Sequence, residues 1–349
     1  MKFRTLSVGI AALLMIVGIS LAMFADARIL PAQKDPPVEA GDYKISGPYT
    51  HENLTIFLIH GKDTIGGKKF LTLQEAMQKK VVIVHETKDV NELAIENVSH
   101  DEEVYVQSGD IVKGGQQDRV LAVDLIVPPR SGRIPIAAFC VESGRWSKRG
   151  QESAGKFESS NERLATRDLK LAANKTKSQT EVWAKVTEAQ AKLSNNVGGS
   201  VSETVSVSSL QLSLENKKVQ AVTENYIKKL SGIIKGKADV IGYAFALNGK
   251  LNSSDVYGSN ALFQKLWPKL LKASAVEALA ELQKGAKFDT VRASAVQEFF
   301  AAAEDGQPTE SAVSDRVKMV TRETDENIVF ETRDQKDAAV VHRSYVKKQ

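Results

Sequence analysis

Ile241-Gly242-Tyr243-Ala244-Phe245-Ala246-Leu247-Asn248-Gly249 alternates large and small residues with period two and ends on Asn-Gly. The alternation is that of a strand, and Asn-Gly supplies the two positive-φ positions of a type I′ turn. The stretch therefore reads as the first arm of a β-hairpin. It sits between helical patterns. Upstream, Val182, Val186, Ala189 and Leu193 recur at helical spacing, and Val219, Val222, Tyr226, Leu230 and Ile233 form a second stripe. Downstream, an apolar run from about Asn260 to Leu282 has the length of a long helix, with Trp267-Pro268 marking a kink or a break. A shorter helix is predicted from about Val291 to Ala303.

The first half of the chain has a different character. From Asn53 to Val141 the runs NLTIFLIH, KKVVIVHE, VNELAIENV, EEVYVQSGDIV, RVLAVDLIV and RIPIAAFCV are separated by turn signals. Their spacing of roughly ten residues is that of a β-sandwich or barrel. One helix interrupts them, where Thr72 and Glu75 form a capping-box start. After Arg145 a polar connector runs from Ser147 to Arg163, and the Gly/Ser/Val segment Asn195 to Leu214 reads as a mobile loop or an edge strand. Near the C-terminus, Val317/Met319, Ile328/Phe330 and Val341/Tyr345 alternate between acidic turns and predict a three-strand meander. The expected fold class is α+β, with a β-rich, sandwich- or barrel-like N-terminal half packed on a helical and β-hairpin C-terminal half. The corresponding divisions are residues 1–27, 28–42, 43–150, 151–305 and 306–349.

Residues 1–27 have the three parts of a secretory signal: Lys2 and Arg4, an uncharged apolar run from Leu6 to Phe24, then Ala25-Asp26-Ala27. The run also approaches the ~20 residues that span a bilayer, which keeps an uncleaved anchor open as the alternative. Both readings predict an exported protein, periplasmic or extracellular, that meets the membrane only through this segment. Residues 28–42, with three prolines, read as a spacer. A single cysteine, Cys140, cannot form an internal disulfide, so folding must rest on core packing. The formal charge of +4 over 349 residues is close to balanced, and the basic pairs Lys68-Lys69, Lys79-Lys80 and Lys347-Lys348 are scattered. A nucleic-acid partner is not expected from such a distribution.

Two polar turns follow strand-like runs. In Gly109 to Arg119, the sequence Gly114-Gly115-Gln116-Gln117-Asp118-Arg119 allows a sharp turn, and Gln117 and Arg119 point to one side of an extended chain. A Gln amide beside a guanidinium suits a carboxylate or phosphate; a polar hairpin closed by an internal Asp-Arg pair is the competing reading. Cys140-Val141-Glu142-Ser143-Gly144-Arg145-Trp146 is the second. By the same parity Cys140 and Glu142 share one face of their strand, with Glu142 the candidate general acid or base, and beyond the Gly144 turn Arg145 is an anion clamp and Trp146 a stacking wall. The structural alternative is a buried Glu142-Arg145 or Glu142-Arg119 pair that fixes the turn. Cys140, between Phe139 and Val141 with no adjacent base, reads as a small hydrophobe.

The five histidines are dispersed with no metal-ligand spacing, and neither a metal nor a cofactor is expected. No nucleophile elbow, P-loop or dinucleotide fingerprint is present. Leu54 to Phe57, Phe70 to Ala76, the Gly-Gly-x-Gln-Asp-Arg turn, Cys140 to Trp146, the Tyr243 to Tyr257 hairpin and the Leu262 to Leu271 helix together resemble the bacterial family of the ARG and rhodanese-phosphatase superfamily-associated protein domain, over about residues 44–285. The resemblance implies an association with ADP-ribosylglycohydrolase and phosphatase domains. It points to ADP-ribose or related nucleotide metabolites as ligands, and to Gln117, Arg119, Glu142, Arg145 and Trp146 as one site.

Three functions are consistent with these features. The first is an extracytoplasmic module that holds an anionic small molecule such as a sugar phosphate. The second is a hydrolase or transferase acting on a glycosyl or phosphoester bond, with Glu142 as acid/base and Arg119 and Arg145 stabilising charge. The third is a structural envelope protein.

Overall fold

The computed structural model describes residues 37–87, 89–145, 155–164 and 166–348. The signal-like segment and Trp146 lie outside them. Eighteen strands, numbered in chain order, form three sheets among the described residues. The largest sheet has nine strands in the order β1 (Val38–Ala40), β2 (Tyr43–His51), β3 (Leu54–His60), β13 (Val240–Leu247), β14 (Lys250–Tyr257), β18 (Ala339–Lys347), β17 (Asn327–Asp334), β16 (Val317–Glu323) and β15 (Pro308–Ala312). All its neighbours are antiparallel. The predicted hairpin is β13 and β14, with Asn248 and Gly249 both at positive φ. The predicted meander is β16 to β18. The spacer contributes β1 as the edge strand.

A six-stranded antiparallel sheet runs β12 (Phe157–Arg163), β8 (Asp110–Gly114), β9 (Arg119–Leu121), β11 (Arg133–Cys140), β6 (Glu92–Asn97) and β5 (Val82–Glu86). A small third sheet joins β10 (Leu125–Val127), β7 (Glu103–Val106) and β4 (Phe70–Thr72). The fold class is thus α+β, as the sequence implied. Strand β12 departs from the predicted connector. Its polar residues are tolerated in a ladder because they are paired: Ser160 Oγ donates to Gln211 Oε1 at 2.8 Å, and Lys272 bonds Glu162.

The helices follow the apolar stripes. α1 (Leu73–Gln78) begins at the Thr72/Glu75 capping box. α2 (Arg167–Leu171) continues into a π-helical turn, and α3 (Gln179–Val197) ends where Gly198 adopts the left-handed conformation. Part of the Asn195 to Leu214 segment is therefore helical, because α4 (Leu210–Glu215) starts on an N-cap from Ser209. α5 (Lys217–Leu230), α6 (Asn260–Ala280) and α7 (Ala293–Glu304) complete the set. α6 runs through Pro268 and is buried on nearly every side. Leu262, Phe263, Leu266 and Leu270 join the main core with Tyr243 and Phe245 of β13, while Ala273, Val276 and Leu279 join a second core with α3 and β11. α7 covers the opposite face of the large sheet through Val296, Phe299 and Phe300. None of these helices is long and apolar enough to cross a membrane.

Candidate functional site

The two predicted polar turns are built from the ends of β8, β9 and β11. Residues 141–144 are bends, so the alternation that would hold Cys140 and Glu142 on one face stops at Cys140. Cys140 lies opposite Arg119 in the ladder. Arg119 is buried, places NH2 3.5 Å from Glu86 Oε2 and donates from NH1 to the Val90 carbonyl. Glu142 is fully buried elsewhere: its Oε1 accepts from Arg145 Nε at 2.7 Å and from the Ser206 hydroxyl. Arg145 also approaches Asp118 Oδ1 at 4.0 Å, and Asp118 accepts from the Gly114 amide at 3.0 Å and from Ser209 Oγ at 3.4 Å.

The structure therefore joins Glu142 and Arg145 around Asp118, and joins Arg119 to Glu86. Among the described residues no ion pair links Glu142 to Arg119. Gln117 is fully buried, and neither end of its amide has a hydrogen-bond partner. Burial pushes the Cys140 thiol up, against the opposing influence of Arg119. Gln179 clamps the Cys140 backbone with two 2.8 Å bonds, tying α3 to β11.

A second concentration of buried polar atoms lies around β14, where sequence reasoning marked no site. Asn252, Ser253, Ser254 and Asp255 are all buried near the middle of the nine-stranded sheet. The ladder with β13 shifts between Phe245 and Ala246, leaving Asn252 as the extra residue of a bulge. Bulges re-aim side chains, and this one turns Asn252 toward α6, where its Nδ2 donates to Glu277 Oε1 at 3.0 Å. The same oxygen accepts from the Arg167 amide at 2.7 Å. Asn252 Oδ1, Ser253 Oγ, Asp255 Oδ2, Glu277 Oε2, and Nε and NH1 of Arg163 are buried without hydrogen-bond partners. Such atoms are rare in folded proteins because each forfeits its hydration, and here they stand close together.

Charges continue through this centre. Asp255 Oδ1 accepts from Ser344 Oγ at 2.8 Å and lies 3.2 Å from His342 Nε2, while Lys170 Nζ stands 3.8 Å from Asp255 Oδ2. His342 Nδ1 is 2.7 Å from Asp124 Oδ2, and Asp124 also accepts from Thr332 Oγ1 and the Ser108 amide, each at 2.7 Å. The Tyr257 ring stacks on His342 with centroids 4.5 Å apart. Burial disfavours the imidazolium, but Asp124 and Asp255 overcome it and raise His342 to about 9. Burial likewise works against the Asp255 carboxylate, and Lys170 and His342 outweigh it, holding the group well below the usual range. Glu277 goes the other way: burial raises it despite Lys170 and the Arg167 amide.

Two openings reach this centre. A cleft of about 30 Å³ is lined by Asp124, Arg163, Lys170, Asp255 and His342. A groove of about 430 Å³ lies over Glu277 and Asn252, bounded by Arg167 and Asp168 of α2, Lys185, Glu188 and Lys192 of α3, and Lys250 beside the hairpin turn, with Phe288 at one margin. Its size is within the range of small-molecule sites. Lys185 is paired with Glu188 and Lys192 with Glu281. The signal in the sequence was Asn252 to Asp255: four consecutive polar residues in the second arm of a hairpin whose first arm is apolar. Among the described residues no group of three or more His, Cys, Asp or Glu is arranged to hold a metal ion.

Comparison with curated proteins and with solved structures found no match. A family model described as the ARG and Rhodanese-Phosphatase-superfamily-associated Protein domain matches residues 42–346, and that description links the family to the rhodanese-phosphatase superfamily. The match extends beyond the resemblance drawn to residue 285. The physical reason lies in the large sheet, where β18 is the neighbour of β14 and carries His342, so the domain cannot close without the C-terminal meander. The chain belongs to the family of the ARG and Rhodanese-Phosphatase-superfamily-associated Protein domain.

Proposed function

We propose that the protein binds a small anionic, hydroxyl-bearing molecule of the sugar-phosphate class in the groove over Glu277. The observation that carries this reading is that Glu277 and Asn252, each with a buried oxygen that no protein donor reaches, both line the groove. Such oxygens suit the hydroxyls of a sugar. At the margin Lys250 offers a cation to a phosphate, beside Arg167, Lys185 and Lys192, which would exchange their pairing with Asp168, Glu188 and Glu281 for the ligand, and the Phe288 ring offers an apolar wall. The family's association points to ADP-ribose as the first compound to test. Export belongs to the proposal as well, supported by the signal-like pattern of residues 1–27.

A second reading is favoured by one observation: burial raises the Glu277 carboxyl, which keeps a proton available to a leaving-group oxygen. Under that reading the bound molecule is also cleaved at a glycosyl or phosphoester bond. Thermal-shift titrations of the full chain with ADP-ribose, ribose 5-phosphate, ribose and inorganic phosphate test both. The first two compounds should raise the melting temperature, and Lys250→Glu and Asn252→Leu should weaken the rise. No rise with any compound, or a rise untouched by both variants, overturns the binding proposal. Product formation by the wild type, lost in Glu277→Gln while binding persists, decides for the enzyme.

A further inference from the structure

A second polar constellation lies away from the groove, at the edge of the large sheet nearest β1. Ser46 Oγ in β2 is 2.7 Å from Nε2 of His60, the last residue of β3, and Asp239 Oδ2 is 3.0 Å from the other ring nitrogen, Nδ1. The Gly61 amide donates to the Asp239 carbonyl at 2.9 Å, which holds the loop before β13 against the end of β3. An acid at Nδ1 favours the proton there, leaving Nε2 as the acceptor for the serine hydroxyl. Hydroxyl, imidazole and carboxylate thus stand in the order and on the ring nitrogens that activate a serine.

We infer that Ser46, His60 and Asp239 form a hydrolytic site for carboxylic esters. Two further features fit. The β2 ladder shifts immediately after Ser46, and Gly47 in that bulge is at φ 122, a conformation that re-aims the chain beside the hydroxyl. β1 pairs only with residues 43–45 of β2, so among the described residues no strand covers the outer edge of β2 from Ser46 onward. Ser46 is half-buried and the His60 side chain 14% exposed, so hydroxyl and ring both keep contact with solvent.

In the reaction Ser46 Oγ attacks the ester carbonyl carbon and its proton passes to His60 Nε2. The bond to the alcohol oxygen then breaks, and the alcohol leaves with that proton. Water next attacks the acyl-serine, gives a proton to Nε2, and releases the carboxylic acid as Ser46 recovers its hydrogen. Asp239 is a positioning residue that acts through the ring.

The test uses the full chain with a fluorophosphonate probe and with p-nitrophenyl acetate. A single adduct on the Ser46 peptide is expected, absent in Ser46→Ala. Labelling should slow by about 10²-fold or more in His60→Gln. In Asp239→Asn it should slow severalfold with a changed pH profile, and Asp239→Glu should restore it. Melting temperatures keep a folding defect distinguishable from lost chemistry. No adduct on Ser46 in the folded protein, or labelling indifferent to His60→Gln, overturns the inference. Labelling indifferent to Asp239→Asn removes Asp239 from it.

Discussion

His342 Nδ1 stands 2.7 Å from Asp124 Oδ2, joining the last strand of the large sheet to the turn before β10 across 218 positions of sequence. With Asp255 at its other nitrogen, the ring is a buried cation between two anions. Its folded pKa, raised to about 9 from an ordinary value of 6.5, makes the pair pH-dependent. A raised pKa stabilises the fold fully below about 6.5, and the contribution is lost as pH climbs through about 9. Asp124 and Asp255, both held low, add stability above their ordinary 3.8 and lose it in acid. The protein should therefore be most stable in mildly acid solution, and raising pH should cost on the order of 3 kcal/mol through His342. Urea midpoints near pH 6 and pH 10 check this. His342→Gln should be the less stable protein at the lower pH, and the gap should narrow at the higher one. A gap independent of pH would mean that folding does not raise the pKa of the ring.

Gly242 lies against the backbone that carries this centre. A Cβ there would sit 2.5 Å from the Asp255 carbonyl oxygen and 2.8 Å from Val256 Cα, both fixed in the ladder. Gly242→Ala must therefore push β13 and β14 apart. It is expected to destabilise the protein by about 1–3 kcal/mol, as overpacking does. Because the displaced strand holds Asp255, the variant should also lose part of the pH dependence assigned to His342. Denaturation across the same pH range measures both effects. A loss of stability with the pH dependence intact would show that strand packing and the ion pair are uncoupled.

These two positions show what the sequence carried and what it did not. Strand alternation from Ile241 to Leu247, the Asn248-Gly249 turn and the Thr72/Glu75 cap are local, so their elements were legible. The polar run Asn252 to Asp255 was visible but had no meaning until β18 was known to lie beside it. His342 was one of five scattered histidines, and only the sheet order places it on Asp255. Local periodicity carries no record of which strand pairs with which. The same limit explains Phe157 to Arg163, whose polarity suggested a connector although Lys272 and Gln211 satisfy it from distant helices. At Cys140 to Arg145 the residues were recognised, but parity failed because the strand ends at Cys140.

Glu277 should leave a signature opposite in sense to that of a paired carboxylate. Its folded pKa is raised by burial above the ordinary 4.5, so its contribution is complete below that value and lost as the pH rises through the folded pKa. A glutamine cannot ionise. Glu277→Gln should consequently gain melting temperature relative to the wild type at mildly alkaline pH and show no such gain at acid pH. Parallel thermal melts provide the measurement. Equal differences at both extremes would indicate that the Glu277 pKa is the same in the folded and unfolded chain, and the acid-catalysis reading of the groove would lose its support.

Arg145 separates the predicted polar turn from the groove. Glu142 is completely buried, and Arg145 supplies the positive charge at 2.7 Å that compensates it. Removing one member of a buried pair leaves the other uncompensated, a cost of about 3–5 kcal/mol. Arg145→Ala should therefore lower the melting temperature markedly. Ligand binding at the groove, measured well below that temperature, should persist, because Arg145 is not among its lining residues. The contrasting outcome is a variant that melts near the wild type and no longer responds to ADP-ribose. That result would move the ligand from the groove to the turn, and would make Glu142 and Arg145 binding residues in place of the brace that their contacts describe.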